Sequence, residues 1–305
     1  QPSSDDPWVK IMSQYLGTEH HRIILDTPQL IDSLKEAVRA RDLPGMADVD
    51  SSLYLFSREI KQEATVALSG ECADEVFCGY PWFYRKESLT ADTFPWALGL
   101  SQREKVFSKE VRSYCRFADY AAERYSEALK EVPRLPGENS IKARLREISY
   151  LTLTRWMPVL LDRKDRMSMA AGLEIRVPFC DHRLVEYVFN VPWELKNYGG
   201  REKGLLRASL TGVLPEKILQ RKKSPYPKTH NPSYLKGVRK ILLEIINSPS
   251  SPLGMLVDKV FLKKLLFSEK DLDVPWFGQL MRLPQLFAYL IQVDFWFREY
   301  KVSIK

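Results

Sequence analysis

Long hydrophobic runs are missing from this sequence. None approaches the roughly 18 to 20 apolar residues needed to cross a bilayer, and the opening QPSSDDPWVK has neither the basic start nor the apolar core of a signal peptide. Histidine and cysteine are scarce, at four each. Cys72, Cys78, Cys115 and Cys180 show no CxxC spacing, so neither a zinc cluster nor a disulfide framework is indicated. These absences predict a cytoplasmic protein with reduced thiols and no membrane partner. A basic stripe with interleaved aromatics is absent too. The net charge is +7, but 46 Lys and Arg are mixed with 39 Asp and Glu. A solvated surface explains this better than a nucleic-acid interface, with some charge free to serve a polyphosphate ligand. No internal repeat or low-complexity linker interrupts the chain.

What is present is apolar material for a large core, 45% of 305 residues. The start reads as irregular until HRIIL (21–25), a β-branched run that predicts a buried strand. Thr27 can cap a following helix with Pro28 in its first position, and apolar residues recur at helical spacing to about Arg41. After the loop DLPGMADVDSS, a second helix is predicted from Ser51 to Glu63, then a buried strand ATVALSG (64–70). Strand, helix, strand implies a parallel sheet and an α/β class. Beyond residue 80 amphipathic segments dominate, among them 117–132 and 140–161, separated at Pro133, Pro136, Pro178, Pro192, Pro215 and Pro225. The expected organisation is a sheet portion over 1–80 and a mainly helical portion over 81–305, within one partial domain.

The chemistry concentrates in LSGECADEVFCGY (68–80), where a strand ends in Ser-Gly and releases Glu71, Asp74 and Glu75 over five positions. Open parallel sheets bind ligands at such carboxyl ends. Ser69 and Gly70 let backbone approach a ligand, Asp74 and Glu75 offer hard oxygens suited to magnesium, and Glu71 is free for acid–base work. The plainer alternative makes Ser69 a helix cap whose acids favour the positive first turn. A second stretch, LDRKDRMSMAAGLEIRVPFCD (161–181), mixes Arg163, Arg166 and Arg176 with Asp165, Glu174 and Asp181. It can hold an amino-acid zwitterion or tie helices together, and ion pairing is the better account of Arg176 and Asp181.

SGECADEVFCGYPWF resembles the SGE-x-x-DE-x-F-x-GY signature of the asparagine synthetase family, and 161–181 resembles its R-x-D-R-x-SM-x-x-G-x-E-x-RVPF-x-D run. GGREKGLLR (199–207) is similar to the segment carrying a phosphate-contacting lysine, here Lys203, and RKKSPYPKTHNP (221–232) to one without a firm catalytic role. The resemblance runs over nearly the whole chain, densest between residues 15 and 235. It implies an adenine-nucleotide α-hydrolase fold. It also implies ATP and magnesium, a β-aspartyl adenylate, and amide formation with ammonia drawn from glutamine. By that resemblance Ser69 and Gly70 contact ATP, Glu71 acts at the adenylate and ammonia step, Asp74 binds magnesium and Lys203 holds pyrophosphate. Arg163 is a weaker candidate for phosphate or substrate contact. Relatives often pair as homodimers.

The sequence departs from the family pattern in five respects. No SGG-x-DS phosphate loop occurs upstream of HRIIL, and no cysteine matches the nucleophile of the N-terminal glutaminase domain. The 305 residues alone are therefore expected not to make asparagine, because the loop's backbone donors would cradle pyrophosphate. Cys72 and Cys78 stand where glycine is common, and Leu160 where some members carry aspartate. Related enzymes that amidate cell-wall peptide carboxylates or close β-lactam and peptide rings stay open as alternatives, as does a silent binding domain.

Overall fold

The computed structural model describes residues 5–223, 231–268, 275–277 and 281–304. The chain begins with a helix where an irregular start was expected: α1 (Asp6–Leu16), with Pro7 in its first turn and Gly17 closing it in the left-handed conformation. SSDDP reads as a loop, yet Asp before Pro also opens helices, because Pro in the first turn forgoes an N–H that has no partner there.

HRIIL does not form its predicted strand. It has no partner among the described residues, and Ile24 is 75% exposed. A β-branched run becomes a strand only where a neighbour completes the ladder. The helix expected as far as Arg41 is two helices. Asp26, not Thr27, caps α2 (Thr27–Asp32), accepting the Gln29 N–H at 2.9 Å while Gln29 Oε1 accepts the Asp26 N–H. The Ser33 hydroxyl then donates to the Gln29 carbonyl at 2.7 Å, a back-bond that bends the backbone before α3 (Leu34–Arg41). α4 (Asp48–Glu63) starts at Asp48 rather than Ser51, with Asp48 and Asp50 in its first turn, where negative charge favours the helix.

The strand expected over 64–70 is β1 (Val66–Leu68), though not a buried one, with Leu68 75% exposed, and it pairs in parallel with β2 (Glu174–Arg176) in the register Val66↔Glu174, Ala67↔Ile175, Leu68↔Arg176. β2 comes from LEIRVPF, inside the region read as helical. Three residues are too few to show the two-residue alternation by which strands are recognised. The described residues thus form a mostly helical molecule with one small two-stranded parallel sheet. β1 leads into α5 (Ala73–Val76).

Beyond residue 80, Phe117–Lys130 is helical close to the expected bounds. The span 140–161 is helical throughout, as expected, but not uniformly α-helical. Helices Ser140–Leu151 and Met157–Met169 are joined by a π-helical turn, Thr152–Trp156, with Pro158 just after it. Proline lacks the N–H that would continue a regular ladder, and such wide turns recur at functional sites. The main core packs α2, α3 and α4 against helices Pro232–Asn247 and Leu283–Glu299, with Leu34, Tyr234, Val238, Leu242 and Phe287 essentially out of contact with water. A second, aromatic cluster holds Trp82, Phe83 and Trp156. Part of 221–232, residues 224–230 with Pro225, lies outside the described residues. No helix among the described residues is long and apolar enough to cross a membrane.

Candidate active site

The turn after β1 is built from unusual backbone. Cys72 and Cys78 both lie in the left-handed region, at φ 72° and 56°, and both are buried. Such angles cost an L-residue roughly 1–2 kcal/mol and cost glycine nothing, which is a physical reason for glycine to be common at these positions. Gly79 meets a different demand. Its N–H donates to the Asp74 carbonyl at 2.7 Å, and a Cβ there would collide with the Asp74 carboxylate. The Ser69 N–H donates to the Arg176 carbonyl at 2.9 Å, tying the loop to the end of β2. Cys72, not Ser69, occupies the cap position of α5; the Ser69 hydroxyl instead accepts the Glu71 N–H at 3.4 Å.

Ser69, Gly70, Glu71, Asp74 and Arg163 line one cavity of about 390 Å³. A larger, shallower hollow of about 590 Å³ carries Arg201, Glu202, Gln220, Lys222 and Lys223. The smaller and more enclosed space gathers Glu71, Asp74 and Glu75, which makes it the candidate site, and Lys223 borders both.

Asp74 is clamped by two ammonium groups. Lys203 Nζ lies 2.9 Å from Oδ1, and Lys223 Nζ donates to Oδ2. Burial raises the Asp74 pKa, but the two lysines outweigh it and hold the carboxyl below its usual range. Lys203 itself sits at φ 55°, ahead of helix Gly204–Ser209, a strained position of the kind found where a side chain must be aimed. Lys223 comes from the segment for which sequence supplied no role. Lysine in a basic run gives no signal until the fold shows its partner.

Glu71 has looser company. Its Oε1 lies 3.4 Å from both Arg163 Nη2 and Lys164 Nζ, while Oε2 is buried without a hydrogen-bond partner. Lys164 was missed in the sequence because it adjoins the more conspicuous Arg163. Burial lowers its pKa, with Glu71 opposing and Arg163 reinforcing the shift. Behind Arg163 stands Asp50 in α4, fully buried. Burial pushes its pKa up, partly offset by Arg163 and by the Met46 N–H, which it accepts at 2.7 Å.

Glu75, read with Asp74 as a source of hard oxygens, points elsewhere: it accepts the Tyr80 hydroxyl. Burial raises its pKa to about 7, with the Tyr80 bond opposing and Asp74 adding to the rise. Trp156 Nε1 donates to the Tyr80 oxygen at 3.2 Å, and Trp82 stacks on the Tyr80 ring with centroids 4.1 Å apart. Trp156, Leu160, Phe277 and Met281 give the cavity an apolar wall. Arg176 and Asp181 lie outside it as ion pairs, with Glu174 and Arg183 respectively.

A strand end that releases acids opposite lysines and arginines places a charged cavity at the carboxyl end of a parallel sheet, the position where such sheets receive ligands. Comparison with known proteins narrows the class. The family model described as asparagine synthase matches residues 1–298. Over 308 aligned residues the chain is 50% identical to asparagine synthetase (glutamine-hydrolyzing) 3 of Bacillus subtilis (strain 168), covering 100% of this chain and 49% of that protein. Asparagine synthetase (glutamine-hydrolyzing) 1 of the same organism is 30% identical over 242 residues, 70% of this chain and 38% of that protein. The Gallus gallus enzyme is 29% identical over 222 residues, 70% and 30% respectively. The chain belongs to the asparagine synthase family, and it spans about half the length, or less, of these relatives.

Proposed function

We propose that these 305 residues carry the amide-forming chemistry of an ATP-dependent carbon–nitrogen ligase with an adenine-nucleotide α-hydrolase fold. ATP activates the aspartate side-chain carboxylate as β-aspartyl-AMP, and ammonia converts it to asparagine and AMP. Glutamine supplies the ammonia through a glutaminase domain N-terminal to these residues. The setting of Glu71 carries the reading: a carboxylate beside two cations, with one buried oxygen free of any partner. Attacking ammonia loses a proton as the amide forms, and that oxygen can accept it.

Asp74, Lys203 and Lys223 form the phosphate side. Flexible ammonium groups neutralise charge on a leaving pyrophosphate. Magnesium binds one or two protein carboxylates and completes its shell with phosphate oxygens and water. Asp74 fits that ion once a nucleotide's phosphates draw the lysines toward themselves; when bound, magnesium supplies further neutralisation of the phosphates. Ser69, Gly70 and Arg163 contact the nucleotide or substrate.

One observation favours a second acceptor. Leu160 belongs to the apolar wall with Trp156, Phe277 and Met281, which suits a carboxylate carried on a larger apolar body, as in peptide-amidating or ring-closing relatives. The test uses the full-length gene product containing these residues, supplied with ATP, magnesium, ammonia and aspartate, with Glu71→Gln as control. Asparagine and AMP in equal amounts, lost in the variant, are the expected result. AMP release only with a larger carboxylate moves the assignment to the second acceptor, and no ATP cleavage with any carboxylate overturns both.

A further inference from the structure

Asp50 lies outside the residues that line the cavity, and no motif singled it out. It is nevertheless built into place. Its side chain is 1% exposed, its Oδ2 accepts the Met46 N–H at 2.7 Å and lies 3.6 Å from Arg41 Nη1. A Cβ on Gly45 would collide with that same oxygen, so the glycine makes room for it. The other oxygen, Oδ1, has no hydrogen-bond partner and faces Arg163 Nε at 4.0 Å, which has none either. Both are buried. Leaving a charge incompletely paired in the interior is costly, so its retention points to a role other than stability.

Arg163 spans the gap. Its Nη1 donates to the Met46 sulfur at 3.0 Å, and its Nη2 reaches Glu71 Oε1 at 3.4 Å. The guanidinium is thus shared between a fixed buried carboxylate and the carboxylate of the site. We propose that Asp50 is a positioning residue: through Arg163 it sets the orientation and charge balance of Glu71. The mechanism is geometric. With Asp50 ionised behind it, the planar fork of Arg163 is held back, so Glu71 keeps one oxygen paired and the other free. Without that charge, Arg163 moves onto Glu71 and occupies the oxygen that should take the proton. This rests on the role proposed above for Glu71.

The experiment measures kcat and KM for ATP-dependent amide formation, together with thermal melting, in the full-length protein. Asp50→Asn keeps the shape and an acceptor for Met46 but removes the charge. It is expected to lower kcat roughly ten- to hundredfold with KM for ATP little changed and the melting temperature retained. Arg163→Gln strands the Asp50 charge and melts lower, whereas Asp50→Asn added to it costs no further kcat and raises the melting temperature again. Wild-type kcat in Asp50→Asn, while Glu71→Gln is inactive, overturns this proposal and leaves the role of Glu71 standing. Full activity in Glu71→Gln overturns both. If Asp50→Asn does not fold, Arg163→Lys decides: one ammonium cannot bridge both carboxylates, so kcat falls if the proposal holds, and a wild-type kcat overturns it.

Discussion

Asp74 and Glu75 are neighbours in sequence and line the same cavity, yet they take different partners and their pKa values shift in opposite directions. On the lysine side, Lys203 and Lys223 keep Asp74 ionised despite its burial. On the aromatic side, Glu75 has as its partner a neutral donor, the Tyr80 hydroxyl, which Trp156 bonds and whose ring Trp82 stacks on, and its pKa rises to about 7. The difference teaches that burial alone does not decide protonation. What counts is whether the partner is a cation or a hydroxyl. The cavity thereby combines a carboxylate held ionised by two lysines with a second one that titrates near neutrality.

The comparison breaks most clearly at Asp74. Asp74→Asn leaves two half-buried ammonium groups without their anion, and the rate of ATP-dependent synthesis by the full-length protein is expected to fall about 10²- to 10³-fold. Turnover against ATP concentration checks this.

Next in size is the pH behaviour of Glu75. Its folded pKa of about 7 lies above the ordinary 4.5, so between these values the folded state binds the extra proton. This contribution to stability is fully present below 4.5 and is lost as pH rises through 7, roughly 3 kcal/mol in all. Asp74 runs the other way: its contribution is present above the ordinary carboxylate range and is lost as pH falls through its lowered folded value. Glu75→Gln is therefore expected to gain stability relative to wild type as pH rises from 5 to 8, measured by denaturant titration at each pH.

Tyr80→Phe sharpens the aromatic side. Removing the hydroxyl takes a donor from Glu75 and an acceptor from Trp156, with an expected loss of about 1–3 kcal/mol by denaturant unfolding. The smallest effect is at the strained turn. Cys72→Ala and Cys72→Gly both remove the thiol, but only glycine relieves the left-handed backbone. The glycine variant should be more stable than the alanine variant by about 1 kcal/mol.

Much of the site was legible as a string. Glu71, Asp74 and Lys203 stand in recognisable runs, and the strand end at Ser69-Gly70 marked where a ligand would sit. Lys164, Lys223 and Asp50 were not legible, because each matters through a partner distant in the chain: Lys223 meets Asp74, and Asp50 meets Arg163. The helices at 117–130 and in α4 followed from periodicity over many residues, whereas β2, three residues long, had no period to read. HRIIL shows the converse error, since a strand-forming composition without a partner strand forms no ladder.

The sequence by itself determined the family signature, the helical character beyond residue 80 and the residue types available for chemistry, since these depend on side-chain identity and local spacing. Only the tertiary structure decided which carboxylate keeps its charge, which lysine reaches it, and that Arg163 stands between Asp50 and Glu71. Protonation and orientation are set by solvent exclusion and by charges a few ångströms away, and folding brings those charges from remote parts of the chain.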